Sequence, residues 1–141
     1  MPTIAHALVG LVLVFTVLGC STARPPRAAE TSRVVPVTDV RSLAGRWGGL
    51  VQGRPGAQED YVELSITNDG RYSLVTHRQI GTATDVGMLV VDGGRAVMRS
   101  AKNRPGVLQL MQDPGGRPAL RLDGEIDPLR PITVMLTRTT R

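Results

Sequence analysis

Tyr61-Val62-Glu63-Leu64-Ser65-Ile66-Thr67, then Asn68-Asp69-Gly70, then Arg71-Tyr72-Ser73-Leu74-Val75-Thr76-His77 reads as two strands and the turn between them. In the first run Val62, Leu64 and Ile66 share one face, while Tyr61, Glu63, Ser65 and Thr67 share the other. Side chains on a strand alternate between its faces, so this period of two marks a half-buried strand rather than a helix. Asp-Gly readily takes the positive-φ turn that a tight hairpin needs. In the second run Tyr72, Leu74 and Thr76 share a face, and His77 falls opposite with Arg71, Ser73 and Val75.

The same unit repeats in both directions. Arg54-Pro55-Gly56, Asp92-Gly93-Gly94, Arg104-Pro105-Gly106, Asp113-Pro114-Gly115-Gly116, Asp127-Pro128 and Arg130-Pro131 punctuate the chain with turn-forming residues. Between them Leu108 and Leu110 alternate in "VLQLM", Leu120 and Leu122 in "ALRLD", and Ile132, Val134 and Leu136 in "ITVMLTR". With "GRWGGLVQ", "TDVGMLVVD" and "RAVMRS" the total comes to about eight short strands. No long helical period follows residue 20; one short helical turn fits "DVRSLAG", with Asp39 as its N-cap. Residues 39–141 are therefore expected to form an all-β domain, a small antiparallel up-and-down barrel. Closure would remove the exposed strand edges that an open meander leaves. A β-sandwich of the same strands is the alternative.

Residues 1–19 have a different character. The apolar core from Ile4 to Leu18 is shorter than the 20 or so residues that span a bilayer, and it ends at the small residue Gly19. Val17-Leu18-Gly19-Cys20 resembles the lipobox of bacterial lipoproteins. The resemblance implies that 1–19 is a signal peptide, that the chain is cut before Cys20, and that Cys20 carries the lipid. Cys20 is the single cysteine of the chain, which suits a residue consumed by thioether formation. The n-region departs from the pattern in having no Lys or Arg. Ser21, rather than Asp, resembles the outer-membrane default of Gram-negative lipoproteins. The implied address is the bacterial cell envelope, at the periplasmic face of the outer membrane in such a host. Residues 20–38, rich in Pro, Ala, Ser, Thr and Arg, read as the lipidated N-terminus and a flexible linker.

The chain carries 17 basic and 12 acidic residues for a net charge of +5, but its arginines are scattered from Arg24 to Arg141 without a run. After the leader the aromatic residues are Trp47, Tyr61 and Tyr72. A nucleic-acid binder clusters its cations and interleaves aromatics, so nucleic acid is not an expected partner. His77 is the only histidine beyond the leader, too few for a multi-histidine metal site, and no Gly-x-Ser-x-Gly elbow exists. A triad would have to combine His77 with Ser73 or Ser100 and Asp85. The carboxylates Glu59, Asp60 and Glu63, and again Asp123, Glu125 and Asp127, cluster as turn and rim residues do. No enzyme activity, cofactor or metal is expected.

Leu43-Ala44-Gly45-Arg46-Trp47-Gly48, a helical turn followed by Gly-x-Trp on the first strand, resembles the opening of lipocalin-like and avidin-like barrels. In lipocalins that Trp plugs the closed end and an Arg of the last strand packs over it; by resemblance these are Trp47 and Arg138. Thr84-Asp85 lies mid-domain, unlike the late Thr-Asp motif of the family. The resemblance implies a lipid-anchored barrel that binds a small apolar ligand or lipid, lined by Val62, Leu64, Ile66, Tyr72, Leu74, Leu108, Leu110, Leu120, Leu122 and Val134. The alternative is a solid-core accessory lipoprotein that docks on, or inhibits, an envelope protein.

Overall fold

The Tyr61–His77 stretch forms one hairpin of a closed sheet. The computed structural model describes residues 32–51, 60–78, 81–127 and 130–139; the leader and Cys20 lie outside them. Nine strands run among the described residues: β1 (Arg33–Val35), β2 (Gly45–Val51), β3 (Asp60–Ile66), β4 (Arg71–Arg78), β5 (Gly81–Asp92), β6 (Arg95–Ser100), β7 (Pro105–Gln112), β8 (Pro118–Asp127) and β9 (Arg130–Arg138). From β2 to β9 each strand pairs antiparallel with the next, and β2 also pairs with β9. The eight strands thus form a closed barrel, not a sandwich.

Register follows the alternation. Val62 stands opposite Thr76 and Leu64 opposite Leu74. Leu108 stands opposite Leu122, and Leu122 in turn opposite Val134. Directly opposed residues share a face, so these rows converge on the barrel axis. Pro105 and Pro118 each open a strand, where the missing N–H costs least.

A short 3-10 turn at Val40–Leu43 precedes β2. The Asp39 carboxylate caps it by accepting from the Arg41 N–H at 2.9 Å. Gly70, at φ +82°, closes the hairpin turn, and its carbonyl accepts from the Leu89 N–H at 2.8 Å.

The linker boundary requires correction. Residues 20–38 read as a flexible tether, yet Arg33–Val35 pairs with Leu110–Gln112 of β7. β6 takes up the first half of the same edge of β7, so β1 continues β6 along it. Val37 is buried, and its N–H donates to the Gly94 carbonyl at 2.8 Å. The β domain therefore takes in Arg33–Val37, ahead of the expected start at Asp39. Three residues are too few to display a period, and the edge they satisfy lies far along the chain.

Candidate functional site

The two ends of the barrel differ. At one end the chain from Pro36 to Ala44 brings Val37 and Leu43 into the same core cluster as Trp47. Trp47 is 1% exposed, and its indole N–H donates to the Leu43 carbonyl at 2.8 Å, so its one polar atom is satisfied within the core. Arg138 places its guanidinium carbon 4.8 Å from the centre of the Trp47 ring and donates to the Ser42 carbonyl at 3.4 Å. One cation thus covers the indole face and ties the last strand to the helical turn.

Above this plug the interior that the described residues line is filled. Val62, Leu108, Leu120 and Leu136 are 0% exposed. Leu64, Ile66, Tyr72, Leu122 and Val134 are also buried, whereas Leu74 and Leu110 are only partly so. A side chain with no surface accessible to a water-sized sphere adjoins no water-sized void. An eight-stranded barrel has an interior just wide enough for side chains to fill, and these aliphatic rows fill it.

The other end holds the buried carboxylate of this core. Asp85, on β5, is 6% exposed. Its carboxylate accepts from the Tyr72 hydroxyl at 3.0 Å and from the Ser100 hydroxyl at 2.7 Å, one donor to each oxygen. Burial, and then the Asp85 carboxylate beside it, push the Tyr72 hydroxyl well above its ordinary range. Gly87 makes the arrangement possible. It stands opposite both Tyr72 and Ser100, and a Cβ there would come within 2.9 Å of the Tyr72 ring.

Beside Asp85 a recess is lined by Leu74, Met98, Arg104, Leu122, Glu125 and Ile132. Its water-accessible space is about 20 Å³. One water needs roughly 10–15 Å³, and ligand pockets run from about 300 to 1,000 Å³. The recess therefore has room for about one water and not for a lipid.

A scan against protein-family models, a search of curated proteins and a search of solved structures each return no match to this chain.

Of the residues singled out in the sequence, Trp47 and Arg138 meet at the plugged end and the proposed lining residues meet in the core. His77 points outward, 3.9 Å from Glu63 and stacked on Tyr61 at 6.2 Å between ring centres. It stands on the opposite face of the sheet from Asp85 and Tyr72, so the only triad the sequence offered is not assembled. Asp123 accepts from Arg121 and Thr133 on the barrel's outer face. Glu59 and the Asp127 side chain lie outside the described residues. The Asp85–Tyr72–Ser100 group escaped the sequence reading. A signal was present: in "TDVGMLVVD" Asp85 has the same parity as the inward Leu89 and Val91.

Proposed function

We propose that this protein is a lipid-anchored envelope lipoprotein whose solid barrel acts as an accessory or interaction module, docking on or inhibiting another envelope protein. The observation that carries the reading is the filled interior: four inward aliphatic side chains at 0% exposure, beside a recess with room for about one water. A carrier of small apolar ligands needs a cavity, and the packing favours the second of the two readings drawn from the sequence. The outer surface is what remains for recognition. The anchor rests on the leader and on Val17-Leu18-Gly19-Cys20. Thioether-linked and amide-linked acyl chains together hold a protein stably, at about 0.8 kcal/mol per buried CH₂. The exposed, outward His77 agrees with a role in binding rather than in catalysis.

Native mass spectrometry of the processed protein, purified from its own envelope, tests the function. A stoichiometric protein partner is expected; a bound small molecule of lipid-like mass in place of a partner would restore the carrier reading. The anchor is tested separately. Cys20→Ala should abolish palmitate labelling and block cleavage after Gly19, and a variant that still labels and fractionates with membranes refutes it.

A further inference from the structure

We infer that the barrel face formed by β5, β6, β7 and β1 lies against an anionic lipid surface. The even-numbered residues of β5 point outward, and Val86, Met88 and Val90 are 50%, 42% and 45% exposed. Val97 of β6 stands beside Val90, and Val107 of β7 beside Val97. Val34 of β1, also exposed, stands beside Met111. The result is an apolar band across four neighbouring strands of a sheet whose inner face is already packed.

The rim of the band is cationic. Arg71 and Arg99 flank Met88 from the two adjacent strands. Arg95 closes β6 at one end. Against these three stand Asp92, opposite Arg95, and Asp69, which pairs with Arg71 at 3.1 Å. An apolar centre with arginines around it suits a headgroup layer that is negative at its surface and apolar below.

The tether lends the third support. It joins the barrel at β1, on this same face, and the 12 residues from Ser21 to Ser32 separate Arg33 from Cys20. Such a length spans at most about 45 Å. A lipid on Cys20 would therefore hold β1, on the band's face, within about 45 Å of the bilayer surface. This clause rests on the anchor proposed above; the surface chemistry of the band does not.

The test uses the full chain with Cys20→Ser, added to lipid vesicles, so that the introduced cysteine is the only one to label. An environment-sensitive fluorophore is attached at Met88→Cys or, as control, at Met135→Cys. Met135 is equally exposed, at 45%, and sits on β9, four strands away around the barrel. On phosphatidylglycerol vesicles the label at position 88 should shift to the blue and be quenched by a lipid-borne quencher, while the label at 135 stays water-exposed. The shift should be lost on phosphatidylcholine vesicles, at about 0.5 M salt where charges are screened within a few Å, and in the Arg95→Glu/Arg99→Glu variant with its circular dichroism unchanged. Equal response at the two positions, or response on neutral vesicles alone, overturns the inference. Shielding of position 88 only when envelope proteins are added would assign the face to a protein and overturn it as well. Because Cys20 is absent here, failure of lipidation leaves this result standing, and failure of docking leaves palmitate labelling of the native chain intact.

Discussion

The Arg138 guanidinium lies 4.8 Å from the centre of the Trp47 ring, across the β2–β9 seam where the two residues are directly paired. A cation over an indole gains about 0.5–2 kcal/mol, depending on burial. Arg suits the place better than Lys, since its planar fork covers the ring and still reaches the Ser42 carbonyl. The ring itself is buried, so its packing dominates. Trp47→Ala should cost about 3–5 kcal/mol in urea unfolding, and Arg138→Ala distinctly less. Comparable losses from the two variants would mean that the guanidinium, not the indole, holds the seam.

The seam also depends on a missing side chain. A Cβ on Gly49 would collide with the backbone carbonyl of Met135 on β9 and would press on Leu136. Backbone cannot turn aside as a side-chain tip can, so Gly49→Ala should cost about 1–3 kcal/mol, the usual range for overpacking. Gly124→Ala is the control, because its Cβ would meet only ordinary contacts at 3.4 Å or more. Equal midpoints for the two variants would show that the seam has slack.

Tyr72 links stability to alkaline pH. Its hydroxyl is held protonated in the folded state, chiefly by burial and then by Asp85, while in the unfolded chain it titrates near 10.0. A folded value above the unfolded one contributes stability that is fully present below pH 10 and declines as pH rises further. The decline has a limiting slope of about 1.4 kcal/mol per pH unit. Tyr72→Phe should cost about 1.5–3 kcal/mol at neutral pH, for a hydrogen bond to a charged acceptor, and should flatten the alkaline limb. Chemical unfolding between pH 8 and about 11 checks both; an unchanged limb would place the alkaline loss elsewhere.

The contribution of the segment ahead of Asp39 is testable by a matched pair. Val37 is 1% exposed and Val34 is 53% exposed. Val→Thr keeps the shape and adds a hydroxyl. At Val37 that hydroxyl enters the core and should cost about 1–3 kcal/mol. At Val34 it meets water and should change stability by less than about 0.5 kcal/mol. If Val37→Thr is as mild as Val34→Thr in thermal melts, the segment before the 3-10 turn contributes nothing to the barrel.

By itself the sequence determined the eight barrel strands, the turns at Asn68-Asp69-Gly70, Asp92-Gly93-Gly94 and Asp113-Pro114-Gly115-Gly116, the Asp39-capped helical turn and the inward rows from Val62 to Leu136. These are local properties. A period of two assigns each side chain a face wherever a run of five or more residues alternates, and Asp-Gly ends the run. Of the other turn signals, Pro105-Gly106 and Arg130-Pro131 fall inside β7 and β9, and Arg54-Pro55-Gly56 and Pro128 lie outside the described residues. Three features were settled only by tertiary structure. Closure needs β2 to meet β9, a pairing across nearly the whole domain that depends on accumulated twist and stagger. β1 was invisible because Arg33 finds Gln112 79 residues away, and three residues in a Pro-rich stretch carry no period of their own. Asp85 followed the alternation, but a carboxylate on an inward row conflicts with the cost of burying charge. Only the arrival of Tyr72 and Ser100 from the two neighbouring strands, with Gly87 leaving room between them, satisfies its oxygens and removes that conflict.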